Sequence, residues 1–95
     1  MKICYHGTTN KENAESIFKY GFRQGAWFAA NLQDALGFGG PYIFRVVFDF
    51  DEAPGWQFRV HEVILPDRIV EYSIFEKKVV FFNDNLRKKV FEHNL

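Results

Sequence analysis

Two side chains able to take part in bond-breaking chemistry, the imidazole of His6 and the carboxylate of Glu62, and one able to hold a flat ring, the indole of Trp27, stand at intervals along this sequence. His6 lies in Tyr5-His6-Gly7-Thr8-Thr9, at the junction of a short apolar strand and a helix start. An imidazole supplies a directional hydrogen bond, and a glycine beside it lets a flat group approach the backbone closely. Trp27 is flanked by Gly25 and Ala26 before it and by Phe28, Ala29 and Ala30 after it. Such small neighbours leave an indole face open as a stacking platform; packing within the core is the other reading. Glu62 is set among Val60, Val63, Ile64 and Leu65. On an exposed edge strand it is a solvated carboxylate. Turned into a cleft, it is a carboxylate on a rigid element with its pKa raised by partial burial.

The elements that must position these groups follow from periodicity. Ile3-Cys4-Tyr5 predicts a first strand. Thr9 with Glu12 three residues on has the capping-box pattern, and Ala14, Ile17 and Phe18 follow at helical spacing, so a helix is expected over 10–20 with Gly21 as its C-terminal cap. Residues 26–29 read as a short buried strand. Asn31 and Asp34 open a brief helix through Leu32, Ala35 and Leu36 that ends in Gly37-Phe38-Gly39-Gly40-Pro41. That glycine run lacks the spacing of a P-loop or dinucleotide fingerprint and reads as a turn. Strands are expected over 43–50, with Phe44, Val46, Phe48 and Phe50 on one face, and over 60–65, 69–75 and 79–82. In the third of these, alternation sets Ile69, Glu71, Ser73 and Phe75 against Val70, Tyr72 and Ile74. A closing helix capped by Asn83 completes an α+β order.

Composition bounds the function classes. Ninety-five residues make a single domain, 1–95, whose small core is filled by large side chains, with 12 Phe among them. Twelve basic and 12 acidic residues cancel, so no global field draws the chain to nucleic acid or to an anionic membrane. One cysteine, Cys4, excludes an internal disulfide and reads as a small buried hydrophobe; no Cys/His cluster has zinc-ligand spacing, so no metal is expected. His61 and His93 have no partner in sequence and receive no role. With no signal-peptide pattern and no apolar run of membrane-spanning length, the expectation is a cytoplasmic, soluble protein.

Taken in order, these pieces resemble the diphtheria-toxin and poly(ADP-ribose) polymerase branch of the ADP-ribosyltransferases, whose His-Tyr-Glu triad is spread over three strands. His6-Gly7-Thr8 matches its His-Gly-Thr/Ser, and Gly25-Ala26-Trp27-Phe28-Ala29 is similar to its Gly-x-Tyr-Phe-Ala block, with Trp27 in the tyrosine's place. Ala35-Leu36-Gly37-Phe38 echoes a later helix ending, and Glu62-Val63-Ile64-Leu65-Pro66-Asp67 with Ile69 and Tyr72 follows the glutamate strand. The resemblance spans about Ile3 to Ile74 and implies a compact fold of two packed, mostly antiparallel sheets with short helices.

It also implies NAD as substrate, without a metal, and ADP-ribosyl transfer with release of nicotinamide; the acceptor class it points to is protein. The residues it assigns to NAD are His6, Gly7, Thr8, Tyr20, Arg23, Trp27, Phe28 and Phe38, with His6, Trp27 and Glu62 as the catalytic set. His6 would hold a ribose hydroxyl of the adenosine side, Gly7 and Thr8 the carboxamide, and Trp27 or Tyr20 the nicotinamide ring. Glu62 would bond the 2′-hydroxyl of the nicotinamide ribose and stabilise the positive charge that builds as the glycosidic bond breaks. Compact members of this kind occur among bacterial and phage effectors. Two departures matter. Trp27 lacks the phenolic hydroxyl, and residues 21–26 are a short substitute for a loop that covers the adenine half in larger relatives. The alternatives are a catalytically inactive binding or inhibitor protein of the same fold acting through a protein partner, a plain structural domain, and an NAD-using RNA 2′-phosphotransferase, whose relatives rely on basic residues around the pocket whereas the basic cluster here, Arg87-Lys88-Lys89, stands far along the chain.

Overall fold

The computed structural model describes residues 1–50, 54–75 and 79–82. Its elements are β1 (Lys2–Thr8), α1 (Lys11–Tyr20), β2 (Ala26–Ala29), α2 (Leu32–Phe38), β3 (Tyr42–Phe48), β4 (Gln57–Val60), a 3₁₀ turn (Pro66–Arg68), β5 (Ile69–Ile74) and β6 (Val79–Phe82). The expected closing helix, with Arg87, Lys88, Lys89 and His93, lies outside the described residues.

All six strands form one antiparallel sheet in the order β4-β2-β1-β3-β5-β6. This corrects the expectation of two packed sheets, although the α+β class stands. The reason is visible in the strand faces. β1 pairs with β2 on one side and β3 on the other, so the two halves of the fold are joined edge to edge. Phe28 and Phe58 from one half then share a buried cluster with Cys4, Phe44, Phe48 and Tyr72 from the centre and the other half. The cover for that face comes from Ala14 and Ile17 of α1, together with Phe22 and Ile64. Rings interlock across it: Phe28 meets Phe22 and Phe48 edge-on, each at 5.0 Å between centroids, and Phe44 stacks on Tyr72 at 4.8 Å. Geometries of this kind add about 0.5–1.5 kcal/mol per pair beyond area burial.

The second face is covered by α2, whose Ala35 packs against Ala29 and Ile43. Small residues at this contact let the helix lie close, and Gly7 is the extreme case. A Cβ on Gly7 would run into the carbonyl oxygens of Ala35 and Gly39 at the C-terminal end of α2. The group that approaches the bare Gly7 backbone in this structure is therefore the helix end.

Local expectations are refined in four places. Asn10 caps α1 by accepting from the Asn13 N–H at 2.9 Å, one residue later than the Thr9 box. Asn31 caps α2 as expected, accepting from the Asp34 N–H at 3.0 Å. In β5 a register shift opposite Arg45/Val46 pairs Val46 with Ile69. This breaks the simple alternation: Ile69 joins Tyr72 in the first cluster, while Val70 packs with Val47 on the other face. Finally, the strand expected over 60–65 stops at Val60, and His61, Glu62 and Val63 are exposed. The chain rejoins only where Ile64 bridges Phe22, because residues 23–25 arc away through Gly25 at a φ of 89°. No helix among the described residues is long and apolar enough to cross a membrane.

Gly7→Ala is expected to destabilise the fold by about 2 kcal/mol or more, since backbone at a helix end must shift to admit the methyl group. Gly37→Ala, inside α2 with open space around its Cα, is expected to stabilise by about 0.5–1 kcal/mol. Urea unfolding of the two variants tests both signs.

Candidate functional site

β1 is paired with β3 along its whole length, but with β2 only at Tyr5 and Ala29. Beyond that point the β1–β2 ladder opens, and the His6 side chain is set into the opening. Its Nδ1–H donates to the Trp27 carbonyl at 2.7 Å, so a side chain supplies the donor that a continuing ladder would have supplied from the main chain. The ring packs edge-on against Phe22 at 4.9 Å and lies 5.6 Å from Phe28. Burial among these rings pushes the His6 pKa below the ordinary imidazole value, while the Trp27 carbonyl pulls the other way and loses. At neutral pH His6 is thus uncharged, with the proton on Nδ1 and a lone pair on Nε2 free to accept from a hydroxyl.

Two clefts flank this ring. The one on the α1 side, about 320 Å³, is bordered by His6, Asn13, Ser16, Arg23 and Gln24. The one on the α2 side, about 160 Å³, is bordered by His6, Gly7, Trp27, Phe38 and Gln57, with Phe28 and Ala35 behind. The first offers a cation, amides and a hydroxyl. The second is mostly apolar, with small residues at Gly7, Ala29 and Ala35 and aromatic walls.

Of the residues expected to form a site, His6, Gly7, Arg23, Trp27, Phe28 and Phe38 border these clefts. Trp27 is 45% exposed, with the Arg59 guanidinium over its ring at 4.8 Å. Phe38 stacks on Trp56 at 6.0 Å. Thr8 and Tyr20 border neither cleft. The Thr8 hydroxyl accepts from the Asn13 side chain at 3.1 Å and so helps fix the start of α1. Tyr20 is 66% exposed beneath the Lys19 ammonium. Glu62 opens instead onto a separate cleft of about 240 Å³ with Val60, Ile64, Asp67 and Arg68. Pairing ends at Ala26 and Val60 and resumes at Phe22 and Ile64, so Glu62 lies on the unpaired stretch between, and it borders neither of the clefts that flank His6.

Sequence reasoning missed Asn13, Ser16, Gln57 and Arg59, whereas Gln24 beside Arg23 is readable as a polar side chain able to reach a pyrophosphate and does border the α1-side cleft. Asn13 and Ser16 carry a readable signal, since Asn13 and Ile17 stand four apart and share the helix face turned to the sheet. Gln57 and Arg59 do not, because their positions depend on β2–β4 pairing between distant segments. Among the described residues no group of three His, Cys, Asp or Glu side chains is placed to hold a metal ion.

A His6 imidazole that titrates below the unfolded value costs stability on acidification. The unfolded chain takes up its proton first, so stability is full above about pH 6.5 and falls as pH drops from there towards the folded-state pKa. The expected result is a His6 ring signal titrating below the ordinary imidazole value in NMR, and a flatter stability profile over that window in His6→Gln. A His6 pKa at or above the ordinary imidazole value would overturn the assignment.

No family model matches the chain, and no curated protein or solved structure matches it at a significant level.

Proposed function

We propose that this chain is a minimal ADP-ribosyltransferase-like domain that holds NAD across the opening between β1 and β2 and transfers ADP-ribose to a macromolecular acceptor, protein foremost. The observation that carries the reading is the neutral His6 ring placed between a polar cleft and an aromatic one. A dinucleotide has the same division, with ribose and phosphate groups on one side and a flat nicotinamide on the other. The order of motifs from His6-Gly7-Thr8 to Glu62 supports it independently. The single-sheet fold does not, because the resemblance implied two packed sheets.

The roles follow from the atoms that face the clefts. His6 Nε2 accepts a ribose hydroxyl. Arg23 meets pyrophosphate charge from the rim of the α1-side cleft. Trp27 and Phe38 flank the ring. The Glu62 carboxylate borders neither cleft and has to turn towards the opening to act; there it opposes the positive charge that grows on the nicotinamide ribose, and favours the transition state over the ground state.

The position of Glu62 also favours a second reading. Its carboxylate opens onto its own cleft, exposed and apart from His6, as suits a protein that binds a nucleotide, or a protein partner, without turnover.

One experiment separates them: calorimetric titration with NAD, alongside an assay for nicotinamide release, on the wild type, His6→Ala and Glu62→Gln. The transferase reading expects binding weakened about tenfold or more in His6→Ala, and release lowered about 10²-fold or more in Glu62→Gln with binding retained. Binding with no release in any form supports the inactive reading. No NAD binding by the wild type would sink the transferase reading and the nucleotide-binding form of the second, leaving binding to a protein partner.

A further inference from the structure

The α2-side slot is lined by two polar side chains that neither the sequence reading nor the proposed mechanism uses, the Tyr5 phenol and the Gln57 carboxamide, and only Gln57 carries a donor and an acceptor side by side. Gln57 pairs with Ala29 across β2–β4, and Ala29 pairs with Tyr5 across β1–β2, so the three stand in one row on the α2 face of the sheet. Ala29 in the middle is too small to fill the space, and Gly7 and Ala35 extend the small-residue floor. The aromatic walls are already held from outside the slot: Arg59 sits over Trp27 and Trp56 stacks on Phe38, and neither Arg59 nor Trp56 borders the slot itself. The result is a narrow space with ordered aromatic sides and a single carboxamide at its edge.

Resting on the proposed function, we infer that Gln57 reads the carboxamide of the nicotinamide ring and makes the slot selective for an amide over a carboxylate. A glutamine side chain presents one acceptor oxygen and an NH₂ donor side by side. A primary carboxamide presents the complementary pair, so two parallel hydrogen bonds form without any charge being buried. A nicotinic acid carboxylate has no donor for the Gln57 oxygen. That oxygen would face an anion in an apolar slot, an unpaired and repulsive contact of the kind that gives polar sites their selectivity. Gln57 is half-buried, so the two bonds form where water competes only in part.

The test is NMR titration of the isotope-labelled full chain with nicotinamide, nicotinic acid and adenosine, each alone. Nicotinamide is expected to shift the Gln57 side-chain amide and the Trp27 indole signals, and nicotinic acid to bind at least tenfold more weakly. Gln57→Leu is expected to lose that preference, with nicotinamide about tenfold weaker. Gln57→Glu, of nearly the same shape, is expected to weaken nicotinamide about tenfold, because the donor is gone, and to reject nicotinic acid at least as strongly as the wild type. Equal binding of the acid and the amide by the wild type overturns the inference. So does a preference that survives Gln57→Leu, or adenosine alone shifting Trp27. If NAD binds but leaves Gln57 and Trp27 unshifted, this inference falls and dinucleotide binding stands; if NAD binds nowhere, the proposed function falls.

Discussion

The hydrogen bond from the His6 ring to the Trp27 carbonyl closes a gap the sheet would otherwise leave open. β1 and β2 are held together at Tyr5 and Ala29, then separate, and an extended chain that leaves a ladder exposes main-chain groups needing partners. A side-chain donor at 2.7 Å answers that need while keeping the strands apart. The bond itself contributes about 0.5–1.5 kcal/mol net, yet losing it would leave a carbonyl unpaired beside packed rings, at a greater cost. The same bond fixes the tautomer of His6. One local constraint therefore sets the strand opening and the atom the ring presents, while burial among the rings keeps it uncharged against the pull of the carbonyl.

That arrangement holds only because both faces of the sheet are supported around it. Phe22, Phe28 and Phe44 enclose His6 on the α1 face, and each buried ring of this size is worth about 1.5–3 kcal/mol. On the other face the end of α2 rests directly on Gly7. The bareness of Gly7 thus serves packing first: it lets a helix terminus lie directly on β1, on the face opposite the imidazole, and form one wall of the aromatic slot. The 19% aromatic content has a related purpose. A short chain has few residues to bury, and large rings fill a core that aliphatic side chains would leave thin.

What the sequence made legible was local. The cap at Asn31, the apolar face of Phe44, Val46 and Phe48, and the strand at 26–29 all follow from spacing within a few residues. What it hid was relational. Two packed sheets and one continuous sheet are built from the same strands, and only the pairing of β1 with both β2 and β3 decides between them. The register shift at Arg45/Val46 leaves no mark in the alternation of β5, yet it moves Ile69 to the other face. Gln57 and Arg59 acquire their places from a partner strand some thirty residues earlier, which no window of sequence contains. His6 itself was legible as a chemical group, and its bond to a main-chain carbonyl was not.

Glu62 is where these two kinds of information meet. Its type and motif point to catalysis, whereas its position depends on how residues 61–63 cross the arc of residues 23–25. Ile64 is anchored by exchanging hydrogen bonds with Phe22, at 2.7 Å and 3.1 Å, and Val60 by accepting from the Gly25 N–H at 2.7 Å. Between those anchors the carboxylate is carried on a segment with no ladder of its own. A side chain on such a segment reorients at the cost of few contacts, unlike one on a paired strand. Where the Glu62 carboxylate points is therefore decided by the three residues 61–63 and not by the sheet.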